Sequence, residues 1–272
     1  MRFIRTRQAD GAAVHAVLLS DGRARALPGP PWESREAVGE AFVPGPRLAP
    51  VLPPVIIGIA QNYRAHAAEM GGELGEHPVY FMKLPTNVQD PDEPIRLPRA
   101  LRSDKVDYEG ELAVVLGRTC RDVSPEEAMD AVLGFCIAND VTARDWQKEW
   151  GGGQFCRGKS FDTFCPLGPE LVTLDELRNP FALDLTTRLN GEVVQASSTD
   201  DLIFDIPTLI AFLSGSTTLP AGTVILTGTP SGVGMARTPP RYLRAGDVVE
   251  IEIEGLGRLR NPVVEECAGA PV

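Results

Sequence analysis

The chain contains no C-x-x-C pair, has only three histidines, and offers no apolar run long enough to cross a membrane. Its five cysteines, Cys120, Cys136, Cys156, Cys165 and Cys267, are an odd number at irregular spacing. They suggest neither a zinc knuckle nor a disulfide framework, and a reducing, cytoplasmic setting fits them. The longest apolar stretch, Val55-Ile56-Ile57-Gly58-Ile59-Ala60, falls far short of the roughly 20 residues of a spanning helix, so no membrane partner is expected. Arg2, Arg5 and Arg7 are followed by Gln8-Ala9-Asp10-Gly11 where a signal peptide would carry its apolar core, so the chain reads as untargeted. Positive charge is also in deficit. The formal net charge is −11, which repels phosphodiester backbones and argues against nucleic acid as a partner.

What is present is an ordinary globular composition of 272 residues, 43% hydrophobic and 23% charged, with no repeat or low-complexity tract. Residues 1–54 read as a small N-terminal β element followed by a proline-rich connector, with a short helix expected near Glu33 to Phe42. Residues 55–272 read as the main domain. Strands are expected near Val55–Ile59, Val79–Met82, Glu109–Gly117, Gly134–Val141, Leu183–Leu189, Glu192–Ser197, Thr223–Thr227, Val248–Glu254 and Arg258–Val264. Asn190-Gly191 between two of these is a hairpin signal. Helices are expected at Asn62–Met70, at Pro125–Val132 after Ser124, and at Ile206–Leu213 after the capping residue Asp205. Gly71, Gly72 and Gly75 form a flexible stretch able to act as a lid.

The most informative segment is Val106-Asp107-Tyr108-Glu109-Gly110-Glu111-Leu112-Ala113-Val114-Val115-Leu116-Gly117. On a strand, Glu109 and Glu111 point to one face, roughly 6.6 Å apart along the chain, close enough to reach one ion. Two like charges facing an interior need a cation between them, and a hard divalent metal is the simplest one. A wet acidic edge strand is the plainer alternative. Asn139-Asp140-Val141-Thr142-Ala143-Arg144-Asp145-Trp146-Gln147 closes an apolar strand and places Asp140 at its end, as a third ligand or as an Asx turn. His66 and Glu69 stand three apart on a helix, where a carboxylate orients an imidazole for proton transfer, unless the pair is merely a solvated face. Gly153-Gln154-Phe155-Cys156-Arg157-Gly158-Lys159-Ser160 matches the phosphate-loop pattern literally. Its flanks lack the preceding strand and following helix, so a nucleotide-binding protein is the weaker alternative, with Lys159 still a plausible site cation. Thr227-Gly228-Thr229-Pro230-Ser231-Gly232-Val233-Gly234 can offer N–H and hydroxyl donors to a carboxylate.

Taken in order, Asn62-Tyr63 with His66 and Glu69, Tyr108-Glu109-Gly110-Glu111-Leu112, Asn139 to Gln147, Gly158 to Pro169 and Thr227 to Gly234 resemble the fumarylacetoacetate hydrolase family. The likeness extends from about Val55 to Val264, and to the shorter members related to the acylpyruvase and oxaloacetate decarboxylase group. It implies a β-rich α+β fold, a mixed β-sandwich roll with a small N-terminal β domain, and a homodimer. It also implies an Mg²⁺ site, or Mn²⁺ or Ca²⁺, on Glu109, Glu111 and Asp140. By the same resemblance His66 and Glu69 form a water-activating dyad, Lys159 is a cation at the reacting oxygen, and Arg144, Gln147 and Thr229 contact a small anionic 2-oxo or diketo acid. Larger members carry a further aspartate ligand before the lid, where this chain has Gly58-Ile59-Ala60-Gln61. Gln61 takes the place of a basic residue in some relatives. Hydrolysis of an acylpyruvate-type carbon–carbon bond is the leading expectation. Oxaloacetate decarboxylation, 2-oxo acid tautomerisation and hydration of 2-hydroxydienoates are alternatives on the same site.

Overall fold

A computed structural model describes residues 1–71 and 75–267. Its centre is the run that follows the two glutamates. Gly110–Leu116 is buried along its whole length. It sends Leu112, Val114 and Leu116 into one hydrophobic core, and Ala113 and Val115 into a second. The neighbouring strand Val132–Asn139 divides likewise, Phe135 and Ile137 to the first core and Cys136 and Ala138 to the second. One sheet therefore separates two cores, the arrangement in which period-two sequences can be apolar on both faces.

The large sheet runs from Val38–Phe42 through Ala24–Ala26, Ala13–Leu18, Arg2–Arg7, Cys165–Val172, Val132–Asn139, Gly110–Leu116, Val224–Leu226 and Ile56–Ala60 to Val79–Lys83. Most neighbours are antiparallel, but Val224–Leu226 lies parallel to Ile56–Ala60, so the sheet is mixed. A five-stranded sheet, Glu192–Ser198, Asp184–Leu189, Val248–Ile253, Gly257–Glu265 and Ile95–Leu97, covers its first core with Leu185, Leu189, Ile251 and Leu259. This is the mixed β-sandwich expected. The Asn190-Gly191 hairpin forms, with both residues at positive φ (54° and 83°) as a type I′ turn requires. Ile206–Ser214 is helical, and the Asp205 carboxylate accepts the Thr208 N–H at 2.9 Å.

The structure departs from expectation in three places, one for a local reason and two through long-range strand pairing. The segment expected as a helix over Glu33 to Phe42 contains the strand Val38–Phe42, because the open edge of Ala24–Ala26 takes Val38 and Phe42 as partners. Pro125 to Val132 yields only a 3₁₀ turn, Ala128–Ala131. The buried small residues Ala128 and Ala131, three apart, suit that tighter winding, and Val132 already belongs to the next strand. Cys165–Val172 was not anticipated as a strand, since Pro166 and Pro169 argue against one. Yet this strand carries the N-terminal ladder on the main sheet, pairing Arg2 with Val172 and Phe3 with Leu171. Gly72, one of the three lid glycines, lies outside the described residues.

Gly110 explains why glycine separates the two glutamates. Its side faces the five-stranded sheet, where an added Cβ would sit 2.2 Å from Thr187 Oγ1 and 3.3 Å from Ile251 Cγ2. The close approach of the two sheets thus rests on a missing side chain. Gly110→Ala is expected to cost about 1–3 kcal/mol in urea unfolding, the usual range for overpacking a filled core. An unchanged midpoint would show that the sheets have room to separate.

Candidate active site

Glu109, Glu111 and Asp140 meet where two strands end. Asp140 follows directly on Val132–Asn139, and its N–H donates to the Glu109 carbonyl at 2.9 Å, while the Glu109 N–H donates to Asn139 Oδ1 at 3.0 Å. These bonds fix the two chain ends against each other. One carboxylate oxygen from each of the three residues lies within 4.8 Å of the others, and all three residues are buried.

The charges around them are unevenly matched. Lys159 Nζ donates to Glu109 Oε2 and to Asp140 Oδ2, both at 2.6 Å. Lys83 Nζ, 2% exposed, donates to Asp140 Oδ1 at 2.5 Å and to the Val141 carbonyl at 3.2 Å. Arg144 places Nη2 at 2.7 Å from Glu109 Oε1 and donates from Nε to Asp107 Oδ2 at 2.9 Å. Glu109 is therefore held well below the ordinary carboxylate range: burial opposes its charge, but Lys159 and Arg144 together outweigh burial. Glu111 has no such partner among the described residues. Its Oε2 accepts only the Gly228 N–H, at 2.7 Å. Burial first, then the charges of Asp140 and Glu109, push its carboxyl well above the usual range. Among the described residues Asp107, Glu109 and Asp140 are paired directly with Lys83, Arg144 and Lys159, and Glu111 is the member of the cluster without a cationic partner.

A divalent cation fits this donor set. All three candidate ligands offer hard oxygen, and a buried carboxylate without a cationic partner is a standing cost that such an ion removes. Lys159 is also fixed by its position over the Phe81 ring, 4.7 Å from the centroid. Burial works against its ammonium, but Asp140 and Glu109 raise its pKa above the ordinary lysine value, so it stays charged.

His66 belongs to the short helix Arg64–Glu69 and is buried against the same cavity. Its Nδ1 lies 2.9 Å from Glu69 Oε2, and Glu69 Oε1 accepts the Gly232 N–H at 2.9 Å. A carboxylate only accepts, so Nδ1 carries the proton shared with Glu69. The helix start is tied down. Arg64 Nη1 donates to the Leu202 carbonyl at 2.8 Å, the Ala65 N–H to Asp201 Oδ2 at 3.0 Å, and Asn62 Nδ2 to the Thr227 carbonyl at 2.8 Å.

The cavity encloses about 560 Å³ including its open mouth. His66, Glu109, Glu111 and Lys159 line it, as do Arg144, Gln147, Thr229 and Gln61, so all the expected site residues but two touch it directly. Glu69 stands behind His66, and Asp140 behind Lys159. Gln61 holds a left-handed backbone, φ 50°. Gln147 accepts from Arg144 Nη1 at 3.1 Å. The Thr227 to Gly234 turn does supply donors to carboxylates, but those carboxylates are the chain's own: Glu111, Glu69 and Asp107 accept from the N–H groups of Gly228, Gly232 and Gly234. The Thr229 hydroxyl is taken up by the Gly110 carbonyl at 3.0 Å and by Gln195 Nε2 at 2.8 Å. The phosphate-loop match dissolves in the structure. A π-helical turn, Asp145–Trp150, precedes it in place of a strand, and Lys159 ends the short helix Phe155–Lys159 pointing into the acid cluster.

Lys83 and Asp107 were not anticipated. Lys83 shares a strand face with the buried Phe81, but Val79, Tyr80 and Met82 of the same strand are apolar and exposed, so apolarity does not mark which face is inward. Asp107 stands two before Glu109, and its carboxylate accepts from Arg144 and from the Gly234 N–H at 2.8 Å and the Met235 N–H at 3.0 Å.

This geometry coincides with a known family. Residues 55–264 match the family model described as fumarylacetoacetate (FAA) hydrolase C-terminal, and the chain belongs to that family of enzymes. It is similar to the mitochondrial oxaloacetate tautomerase of Xenopus laevis, 47% identical over 218 residues, covering 80% of this chain and 68% of the relative. It is also similar to the oxaloacetate tautomerase YisK of Bacillus subtilis, 48% identical over 210 residues, covering 76% of this chain and 69% of the relative. Among solved structures, 5-carboxymethyl-2-hydroxymuconate delta-isomerase from Mycobacterium smegmatis superposes with a TM-score of 0.84 at 41% identity, covering 98% of this chain and 100% of that one. Enzymes of the family use divalent metals, and the acidic triad could bind one.

Two substitutions separate compensated from uncompensated charge. In metal-free protein, Lys83→Met is expected to destabilise by about 3 kcal/mol, because it strands half of a buried ion pair. Glu111→Gln should leave the metal-free melting temperature unchanged or raise it, and should abolish the upward shift that Mg²⁺ or Mn²⁺ gives the wild type. Thermal melting with and without the metals checks both. A marked loss of stability in Glu111→Gln alone would mean that Glu111 has a partner in solution.

Proposed function

We propose that the enzyme moves a proton at the carbon beside the 2-oxo group of a small carboxylic acid, interconverting its keto and enol forms. The observation carrying this reading is the pairing of His66 with Glu69 at the wall of a cavity whose buried cations are already engaged with its carboxylates. Lys159 and Arg144 are held protonated by their carboxylates, and Glu109 is occupied by both cations. His66 is left to accept and return a proton, through Nε2, with Glu69 stabilising the imidazolium that forms. The printed names of the relatives, tautomerases and an isomerase, favour the same class.

Glu109, Glu111 and Asp140 would hold the divalent cation, which when bound draws electron density from a chelated 2-oxo carboxylate and favours its enolate. The chain's own groups do the rest. Lys159 has three donors, two already given to Glu109 and Asp140, and the third is free for a substrate oxygen that gains charge. Arg144, Gln147, Thr229 and Gln61 shape the wall against which the acid is oriented. Phe81, Met70 and Phe155 keep part of the cavity apolar, which strengthens each of these interactions.

Hydrolytic cleavage of an acylpyruvate is the second reading. It is favoured by the anchoring of Glu69 on both His66 and the Gly232 N–H, the arrangement that also suits activation of a water. Following loss of enol absorbance with oxaloacetate and with an acylpyruvate, in Mg²⁺ or Mn²⁺, decides between the readings by the products formed. His66→Ala is expected to lower kcat by about 10²–10⁴ on the true substrate, the usual worth of a positioned base. Unchanged rates in that variant would reject His66 in either role.

A further inference from the structure

Three cations line the cavity: Lys159, Arg144 and Lys148. The first two are consumed by the chain's own acids, Lys159 by Glu109 and Asp140, Arg144 by Asp107 and Glu109. Lys148 has no acidic partner among the described residues. The acids beside it in sequence are engaged elsewhere. Glu149 pairs with Lys105, and Asp145 accepts from the Ser103 hydroxyl at 2.8 Å and the Asp104 N–H at 2.9 Å.

Its placement is not that of a free surface lysine. Arg144 caps the π-helical turn Asp145–Trp150, and Gln147 and Lys148 belong to it. All three line the cavity, Arg144 and Gln147 buried, Lys148 at the exposed mouth. Partial burial, and then the positive charge of Arg144, lower the pKa of the Lys148 amine, while Glu109 works in the opposite direction. A cation placed beside like charge and without a counter-ion is relieved by an anion arriving from outside.

We propose that Lys148 receives the second carboxylate of a dicarboxylic 2-oxo acid at the cavity mouth and so makes the enzyme selective for dicarboxylates over monocarboxylates. This rests on the proposed reading of the cavity as a 2-oxo acid site. One end of the acid is held deep, near Glu109, Glu111 and Lys159, and the other end reaches the mouth. The substrate class is then a short-chain acid carrying a carboxylate on the carbon that exchanges its proton or a few bonds beyond it. Lys148 takes no part in proton transfer; it is a specificity-determining residue.

The test uses two unreactive 2-hydroxy acids, malate and lactate, which differ by one carboxyl group. Calorimetric titration of the full-length protein in excess Mg²⁺ is expected to show malate binding about tenfold or more tightly than lactate. Lys148→Ala should lose that advantage while lactate binding stays unchanged, and Lys148→Arg should keep it. Absence of a malate preference in the wild type, or its survival in Lys148→Ala, overturns the assignment. A wild type that prefers malate through Lys148 yet fails to interconvert oxaloacetate would support the subsite and count against the proposed reaction alone.

Discussion

Glu111 is a carboxylate buried among carboxylates, and the rest of the site is arranged around that fact. Two unit charges about 4 Å apart interact by about 4 kcal/mol at an effective dielectric near 20, a sizeable part of the stability of an ordinary domain. The chain meets most of this cost with its own cations. Lys83, Lys159 and Arg144 bind Asp140, Glu109 and Asp107 in a continuous network. It leaves Glu111 with one backbone N–H, from a glycine turn that only a residue without a side chain could bring so near, since a Cβ on Gly228 would meet Asn62 Cβ at 2.8 Å. The deficit creates demand for a divalent cation, while Lys159 and Arg144, held charged by the carboxylates they offset, are unfit to act as bases.

That division explains the chemistry of the cavity. The paired charges of Glu109, Lys159 and Arg144 hold and orient. Proton transfer falls to His66, whose imidazole is oriented by Glu69 and, through Glu69, by the Gly232 N–H. The strand architecture makes this possible. Glu109 and Glu111 extend the parity of Ala113 and Val115 on the second core, while Gly110 shares the side of Leu112 and lets the five-stranded sheet close in behind. The site is thus the polar end of a surface that is otherwise core.

Much of this was legible before any coordinates, because two periodicities carry it. Period two on a strand puts Glu109 and Glu111 together, and three-residue spacing on a helix puts His66 beside Glu69. The strand end at Asn139 announced Asp140. Lys83 was hidden because it closes a short strand whose other side chains are mostly exposed, so nothing local marks its face as inward. Cys165–Val172 was hidden by its prolines, and with it the junction between the N-terminal strands and the main sheet. Val38–Phe42 became a strand because a distant edge needed a partner, which no local pattern records. Long-range pairing, rather than propensity, accounts for what the sequence concealed.

The place where a divalent ion binds decides whether Glu111 is the ligand the site lacks a cation for. Crystals grown in Mn²⁺ and measured at its absorption edge should show one strong anomalous peak among Glu109, Glu111 and Asp140, with Glu111 turned toward it. An ordered Glu111 with no such peak, and with Lys159 alone bridging Glu109 and Asp140, would contradict it.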